Sequence, residues 1–475
     1  MEFDYSRDRW LTAVLFGGAS VSLGYALQVS NGTLHPAALA WLTVAFTLCI
    51  AGVVLPTHPK LESLRDTPTI LVLGAGLAFQ FGLLLTTPPG IYLQLHDSRA
   101  DILFFTGLAF AAVLCGASLT RVRWLGPALP LVLLLTHFLL GVWLIKSSPD
   151  PFIDVYVFQR DAIRALLSGQ NPYAITYPDI YGNSPFYGPG LSVGGRLTFG
   201  FPYPPLSLLL ALPGHLLGGD YRYSQLFALT LSGIFMIYAR PGRVGLVAAA
   251  TFLFTPRVFF VLEQGWTEPF VVLLLSAVVF CACRAPRLLP YALGLFLVVK
   301  QYLVFVAPVG LLFCPKPFRW REVRGMVLRA TTVALAVSLP LVVWNVSAFI
   351  RDVVTIHIHQ PFRQDALSYL AWLARDGGAH PPTALAFAAA LAGVALGLWR
   401  AARSPAGFAA TVALVYLGFF AFNKQAFCNY YFFVLGALCC AIAASGNEPQ
   451  TLATTSATLD MPAPVSSHLT THLRM

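Results

Sequence analysis

Apolar residues run along this chain in blocks long enough to cross a bilayer, with short polar breaks between them. A hydrocarbon core of about 30 Å takes roughly 20 residues of helix. Blocks of that order lie at 10–28, 36–55, 69–88, 102–119 and 126–145. After a polar stretch at 146–202 they resume at 203–219, 222–239, 243–260, 268–284, 288–313, 325–345, 381–399, 405–422 and 427–444. A second polar stretch covers 346–380. The tail from 445 is rich in Ser, Thr, Ala and Pro, has no apolar period, and reads as a disordered cytoplasmic end. The pattern predicts an all-α polytopic integral membrane protein.

Composition narrows the classes further. Charged residues are 11% of the 475, hydrophobic residues 57%, and mean hydropathy is +0.71, whereas soluble domains carry about 25% charged residues. Soluble, disordered and small secreted classes are excluded. The net charge of +10 sits as small basic groups between apolar blocks, the arrangement of topology signals rather than of a nucleic-acid surface. No nucleic-acid partner is expected. The eight cysteines fall in or at the ends of apolar blocks. Cys281 and Cys283 have no second pair to complete a zinc site, so packed thiols, no metal and no cofactor are expected. The first ten residues mix acids with bases and lead straight into a full-length block, which reads as a first span and not as a cleaved signal.

Basic groups favour the cytoplasm. Those at Arg7 and Arg9, Lys60 and Arg65, Arg121 and Arg123, Arg240 and Arg243, Arg284 and Arg287, Lys316–Arg324, and Arg400 and Arg403 leave 146–202, Glu263, Lys300, 346–380 and Lys424 outside. Parity holds only if 203–219 does not cross. It is short and holds Pro204, Pro205 and Pro213, so a re-entrant or surface-lying helix is expected there, leaving about 13 spans. Lys300 interrupts the 288–313 run. Either two short helices meet at it before a phosphate or polar cavity, or its side chain snorkels. No Asp or Glu falls mid-block, which argues for chemistry at one membrane face rather than a charged path through the bilayer.

The polar stretch after the fifth block opens with a helical pattern. Asp154, Asp161 and Arg164 form one stripe, and Val155, Phe158, Ala162 and Leu166 the opposite one, with Gly169 to stop the helix and Asn171-Pro172 to turn the chain. Such a helix lies in the interface plane and holds Asp154 at headgroup level. Beyond it, Tyr177, Tyr181, Phe186 and Tyr187, with Asn171 and Asn183, make an aromatic loop that either offers ring faces to a sugar or, the favoured reading, anchors at the interface.

These pieces also carry a resemblance. Asp154 at the start of an outer loop, Gly169-Gln170-Asn171-Pro172-Tyr173, and Phe201-Pro202-Tyr203-Pro204-Pro205 stand in an order similar to that of bacterial GT-C class membrane mannosyltransferases. Those enzymes use polyprenyl-phosphate sugars and include the α-mannosyltransferases that elongate phosphatidylinositol mannosides. The segment Glu263-Gln264-Gly265-Trp266-Thr267-Glu268 resembles the family's G-Q-x-E type segment in altered order. Lys300, Gln360-Pro361-Phe362-Arg363 with Asp365-Ala366-Leu367-Ser368, and Asn429-Tyr430-Tyr431 also look similar. The resemblance covers roughly 126–444 and implies a GT-C-like catalytic core there. It leaves 1–125 as an N-terminal four-helix extension, a departure from the family, and 445–475 as the tail.

What the resemblance implies is an inverting transfer of a sugar, mannose in the nearest enzymes, from a polyprenyl-phosphate donor to a lipid or glycan acceptor. The setting is the outer face of a bacterial inner membrane, and no metal is required. Asp154 matches the general base, because removing the acceptor's proton strengthens the attacking oxygen. Cations must meet charge developing on the departing phosphate, and Lys300, His357, His359, Arg363 and Lys424 are the candidates on that side. Asp161, Asn171, Tyr173, Tyr203, Glu263 and Gln264 are the candidates for acceptor and sugar. Two rivals stay open: a lipid-linked-sugar flippase or polysaccharide exporter, and a lipid-diphosphate-dependent oligosaccharide polymerase or ligase. A requirement for Asp154 in turnover separates the first rival, and donor type the second.

Overall fold

The computed structural model describes residues 10–55, 67–94, 98–119, 128–182, 186–314, 316–375, 377 and 380–445. Arg7, Arg9, Lys60, Arg65, Arg121, Arg123, Asn183 and the tail from 446 lie outside them. The chain is 74% helical. Seven helices are long and apolar enough to cross a membrane. Five of them open the chain: α1 (Trp10–Ser30), α2 (Pro36–Val54), α3 (Thr67–Thr86), α4 (Ser98–Leu119) and α5 (Leu129–Ser147). The other two are α14 (Trp320–Trp344) and α20 (Cys428–Ser445). Among the described residues the strands are two two-residue pieces, Ser192–Val193 and Arg196–Leu197, paired antiparallel within the 146–202 stretch.

Shorter elements fill the middle of the chain. α6 (Asp154–Leu167) and α7 (Pro205–Gly218) precede α8 (Arg222–Ala239), α9 (Arg243–Leu253), α10 (Val258–Glu263), α11 (Glu268–Arg284) and α12 (Leu289–Val298). A 3-10 turn at Gln301–Phe305, α13 (Val306–Val309) and a second 3-10 turn at Gly310–Phe313 lead to α14. Beyond α14 come α15 (Val346–Ile350), a π turn at Arg351–Thr355, α16 (Ile356–His359), α17 (Tyr369–Ala374), α18 (Ala384–Arg400) and α19 (Pro405–Ala421). Ser404 caps α19 by accepting from Gly407 N at 3.0 Å, with Pro405 in the first turn where its missing N–H costs nothing.

Helix directions define two ends of the bundle. Arg240, Arg243, Arg284, Arg287, Lys316, Arg319, Arg321, Arg324, Arg400 and Arg403 gather at one, where Arg243 donates to Leu119 O and Arg403 to Leu311 O and Cys314 O. Among the described residues the acids lie at the opposite end, apart from Glu322. α7 is bonded to that acidic end on both flanks. Tyr203 before it packs under Lys300, and Arg222 after it donates to Ser148 O and Glu263 O. It therefore enters and leaves on one side, as the parity of the basic groups requires.

The 288–313 run, expected to count as a span, is a hairpin. α12 rises to Lys300, whose backbone is extended (φ −147°, ψ 138°), and 301–313 returns along α19 with Tyr302 on Tyr416, Phe305 on Phe419 and Phe313 on Phe408. Extended backbone inside an apolar run survives because protein covers it on both sides.

α19 is buried along its whole length and α20 from Cys428 to Ala444, apart from half-buried Tyr430. α14 buries only Val323, Met326, Ala330 and Leu341. The N-terminal helices pack onto this centre: Ser20 Oγ meets Cys439 Sγ at 3.8 Å, and Gly32 sits where a Cβ would fall 2.1 Å from Cys428 N. Thr33 forms a β-bridge with Ala366.

Candidate functional site

α6 starts at Asp154, with Ile153 as its extended N-cap. It is amphipathic as expected, with Arg164 and Leu167 exposed and most of the rest covered by protein. Val155, Tyr156, Val157, Phe158 and Gln159 are all buried in succession, because the loop that follows folds back over them. Phe158 packs on Tyr177 and Phe199, and Tyr177 is fully buried. The aromatic loop is therefore no interfacial anchor. Its tyrosines turn inward, and two of them close on Asp154. The Tyr187 hydroxyl donates to Oδ2 at 2.9 Å, Val155 N donates to Oδ1 at 2.8 Å, and the Asp154 N–H reaches the Tyr181 hydroxyl at 3.2 Å. Burial raises the carboxyl above its ordinary range, opposed by those hydrogen bonds and by the positive charge of Arg363.

The cations expected around a phosphate divide on inspection. Lys300 is buried, with its Nζ 3.1 Å from Glu268 Oε1, hydrogen-bonded to the Thr267 hydroxyl and 4.2 Å from the centre of the Tyr203 ring. It neither snorkels nor stands alone. Its partner Glu268 supplies the counter-charge that a lone lysine in an apolar run asks for. Glu268 Oε2 has no partner and is buried. Lys424 Nζ donates to Ile358 O at 3.1 Å and Gln360 O at 2.6 Å, and burial lowers its pKa. His357 lies between Pro202 O and Gln360 Oε1, each 3.2 Å from a ring nitrogen. Burial lowers its pKa too, opposed by these two hydrogen bonds and reinforced by the charges of Lys300 and Lys424.

A cavity of about 470 Å³ is lined by His357, Lys424, Gln301 and Asn423 together with the rings of Tyr430, Phe387, Phe419 and Phe420. Arg363 joins this cavity to Asp154: its N–H donates to Lys424 O, while its guanidinium acts on the Asp154 charge. That guanidinium is occupied, bidentate to Asp365 at 2.7 and 2.6 Å and held between the rings of Phe186 and Phe427. His359 is not part of the cluster. It is exposed and returns its Nδ1 to Thr355 O of its own turn.

The acceptor candidates scatter in role. Asp161 pairs with Arg160 at 2.9 Å and Arg164 at 3.6 Å along α6. Asn171 makes the expected turn, accepting from Tyr173 N at 2.9 Å, and Tyr173 is fully buried with its hydroxyl on Tyr203 O. Tyr203 stays at the site through Lys300. Glu263 is fully buried, and both oxygens accept from backbone: Ile91 N at 2.7 Å and Tyr92 N at 2.8 Å. Gln264 Nε2 donates to the same carboxylate at 3.3 Å. Arg363, Tyr203, Tyr430 and Tyr92 thus share the field of Asp154, Lys300 with Glu268 reaches this group through Tyr203, and His357 and Lys424 meet at Gln360. Among the described residues no group of three His, Cys, Asp or Glu side chains is placed to hold a metal. Comparison with protein families, with characterised proteins and with solved structures finds no match to this chain.

Proposed function

We propose that the chain is an inverting glycosyltransferase of a bacterial inner membrane, working from the outer side. It moves a sugar, mannose by resemblance, from polyprenyl phosphate to a lipid or glycan hydroxyl. The observation that carries this reading is half-buried Asp154, its carboxylate bonded by Tyr187 and its backbone N–H by Tyr181, at the same end as a cavity lined by Lys424, His357 and aromatic rings. Asp154 takes the proton of the acceptor hydroxyl as its oxygen bonds to the anomeric carbon. The bond from that carbon to the phosphate oxygen breaks, and the charge left on polyprenyl phosphate is met by Lys424 and by the field of Lys300. Phe387, Phe419 and Phe420 give the first isoprene units an apolar surface beside that phosphate.

The test is transfer by purified protein in nanodiscs, from radiolabelled polyprenyl-phosphate mannose to host lipid extract, with EDTA present. Wild type moves label to a new product and Asp154→Asn does not. Equal transfer by both overturns Asp154 as the base. No transfer from any polyprenyl-phosphate sugar overturns the activity.

A further inference from the structure

The loop joining α3 to α4 has no regular structure at 87–94, yet it is pinned along its length. Gln28 Nε2 donates to the Thr87 hydroxyl at 2.7 Å, and Gln94 N donates to Ser147 O at 2.8 Å, just ahead of the turn into α6. Between these points the Glu263 carboxylate takes the N–H groups of Ile91 and Tyr92. Gly90 lies so close that a Cβ there would fall 2.2 Å from Glu263 Oε1. Burying a carboxylate is costly unless charge-assisted hydrogen bonds offset it, and these bonds fix two consecutive peptide units of a surface loop. Ile91 and Gln94 face out, while Tyr92 between them is half-buried.

We infer that this strap is a wall of the Asp154 site, contributed by the N-terminal four-helix extension, and that Tyr92 recognises a hydroxyl-rich headgroup on the acceptor. Tyr92, on a strap bonded to Ser147 just ahead of α6, then joins Tyr181 and Tyr187 as a third phenol on that side of the bundle. Each offers a ring face to sugar C–H groups and a hydroxyl that both donates and accepts. The charges agree with that placement: the Tyr92 phenol is raised by burial and by the fields of Glu263 and Asp154, and Tyr181 in turn feels Tyr92. The inference deepens the transferase reading and rests on it for the word acceptor; the placement and the binding stand apart from turnover.

Two measurements on the full chain test it. In the first, Tyr92→Cys combined with Tyr181→Cys is treated with a short bismaleimide, and the linked peptides are read by mass spectrometry. The cross-link forms at the site and fails with Leu55→Cys in place of Tyr92→Cys. Absence of the first link overturns the placement. In the second, octyl mannoside binding is measured by calorimetry in nanodiscs. Tyr92→Ala weakens it about tenfold, the loss of one hydrogen bond and one stacked face, and Tyr92→Phe weakens it less. Glu263→Gln, which leaves one of the two N–H groups facing an amide donor, weakens it as well. Equal binding by wild type and Tyr92→Ala, or no binding by wild type, overturns the recognition role. Binding with this pattern but no sugar transfer keeps the inference and removes the transferase reading.

Discussion

The Tyr187 hydroxyl donates to Asp154 Oδ2 at 2.9 Å, joining the aromatic loop to the first residue of α6. Burial raises the Asp154 carboxyl and this bond lowers it, with burial the larger effect. In the proposed transfer Asp154 works ionised as general base, so the acid limb of the rate is expected above the ordinary carboxylate pKa. Tyr187→Phe removes the opposing bond and moves that limb to higher pH. A pH–rate profile of the two proteins checks this, and an unmoved limb contradicts it. Asp154→Asn lowers transfer by about 10²- to 10⁴-fold.

The same shift has a stability sign. A carboxyl raised on folding stabilises the fold fully below its ordinary pKa and loses that contribution as pH rises through the raised value. At neutral pH the ionised group is therefore a cost, and Asp154→Asn raises Tm. Thermal unfolding in detergent at pH 4 and pH 7 reads it: the gain is larger at pH 7.

Lys300 and Glu268 hold each other in a buried pair at 3.1 Å. Lys300→Met or Glu268→Gln alone destabilises by about 3–5 kcal/mol, because the partner charge is left buried and uncompensated. The double variant loses less than either single change predicts. A double-mutant cycle on thermal stability measures the coupling, and additive losses would show that no pair exists.

Gly90 has no room for a methyl group against Glu263. Gly90→Ala destabilises by about 1–3 kcal/mol, since neither the strap nor the buried carboxylate can move freely. Glu263→Ala in the Gly90→Ala background recovers part of that cost, which a steric origin requires.

Arg222 is fully buried, bidentate to Asp220 and donating at 3.1 and 2.7 Å to Glu263 O and Ser148 O. An ammonium cannot reproduce that planar set of donors. Arg222→Lys therefore leaves at least one buried carbonyl unpaired and lowers stability by about 1–3 kcal/mol, read as a fall in Tm.

The helical, apolar character of the chain was legible because block length and charge placement are local properties. So were the helix opening at Asp154, the stop at Gly169 and the turn at Asn171, each set by residues within a few positions. The doubling-back at Lys300 was half legible: the sequence offered two short helices meeting there, and the contacts along α19 show that they form a hairpin. Tyr92 and Arg222 carried no such signal, and Glu268 was marked only as part of the Glu263–Glu268 segment, with no sign that it meets Lys300. Each acquires its role from a residue far along the chain, and a spacing rule cannot reach that distance. The aromatic loop stayed ambiguous for the same reason, since tyrosines at an interface and tyrosines closing on Asp154 have the same composition.

By itself the sequence determined that this chain is a set of apolar helices with small basic groups between them as topology signals and no acid in the middle of a block. Transfer of apolar surface out of water and the placement of charge need no knowledge of partners. Only the tertiary structure decided which apolar helix is central and which is peripheral. α14 and α19 are both strongly apolar, yet one buries four residues and the other all of them. Hydrophobicity selects burial in lipid or in protein alike, so packing against particular neighbours had to make the choice. Packing also determined which charges met: Lys300 with Glu268, and Glu263 with the strap that carries Tyr92.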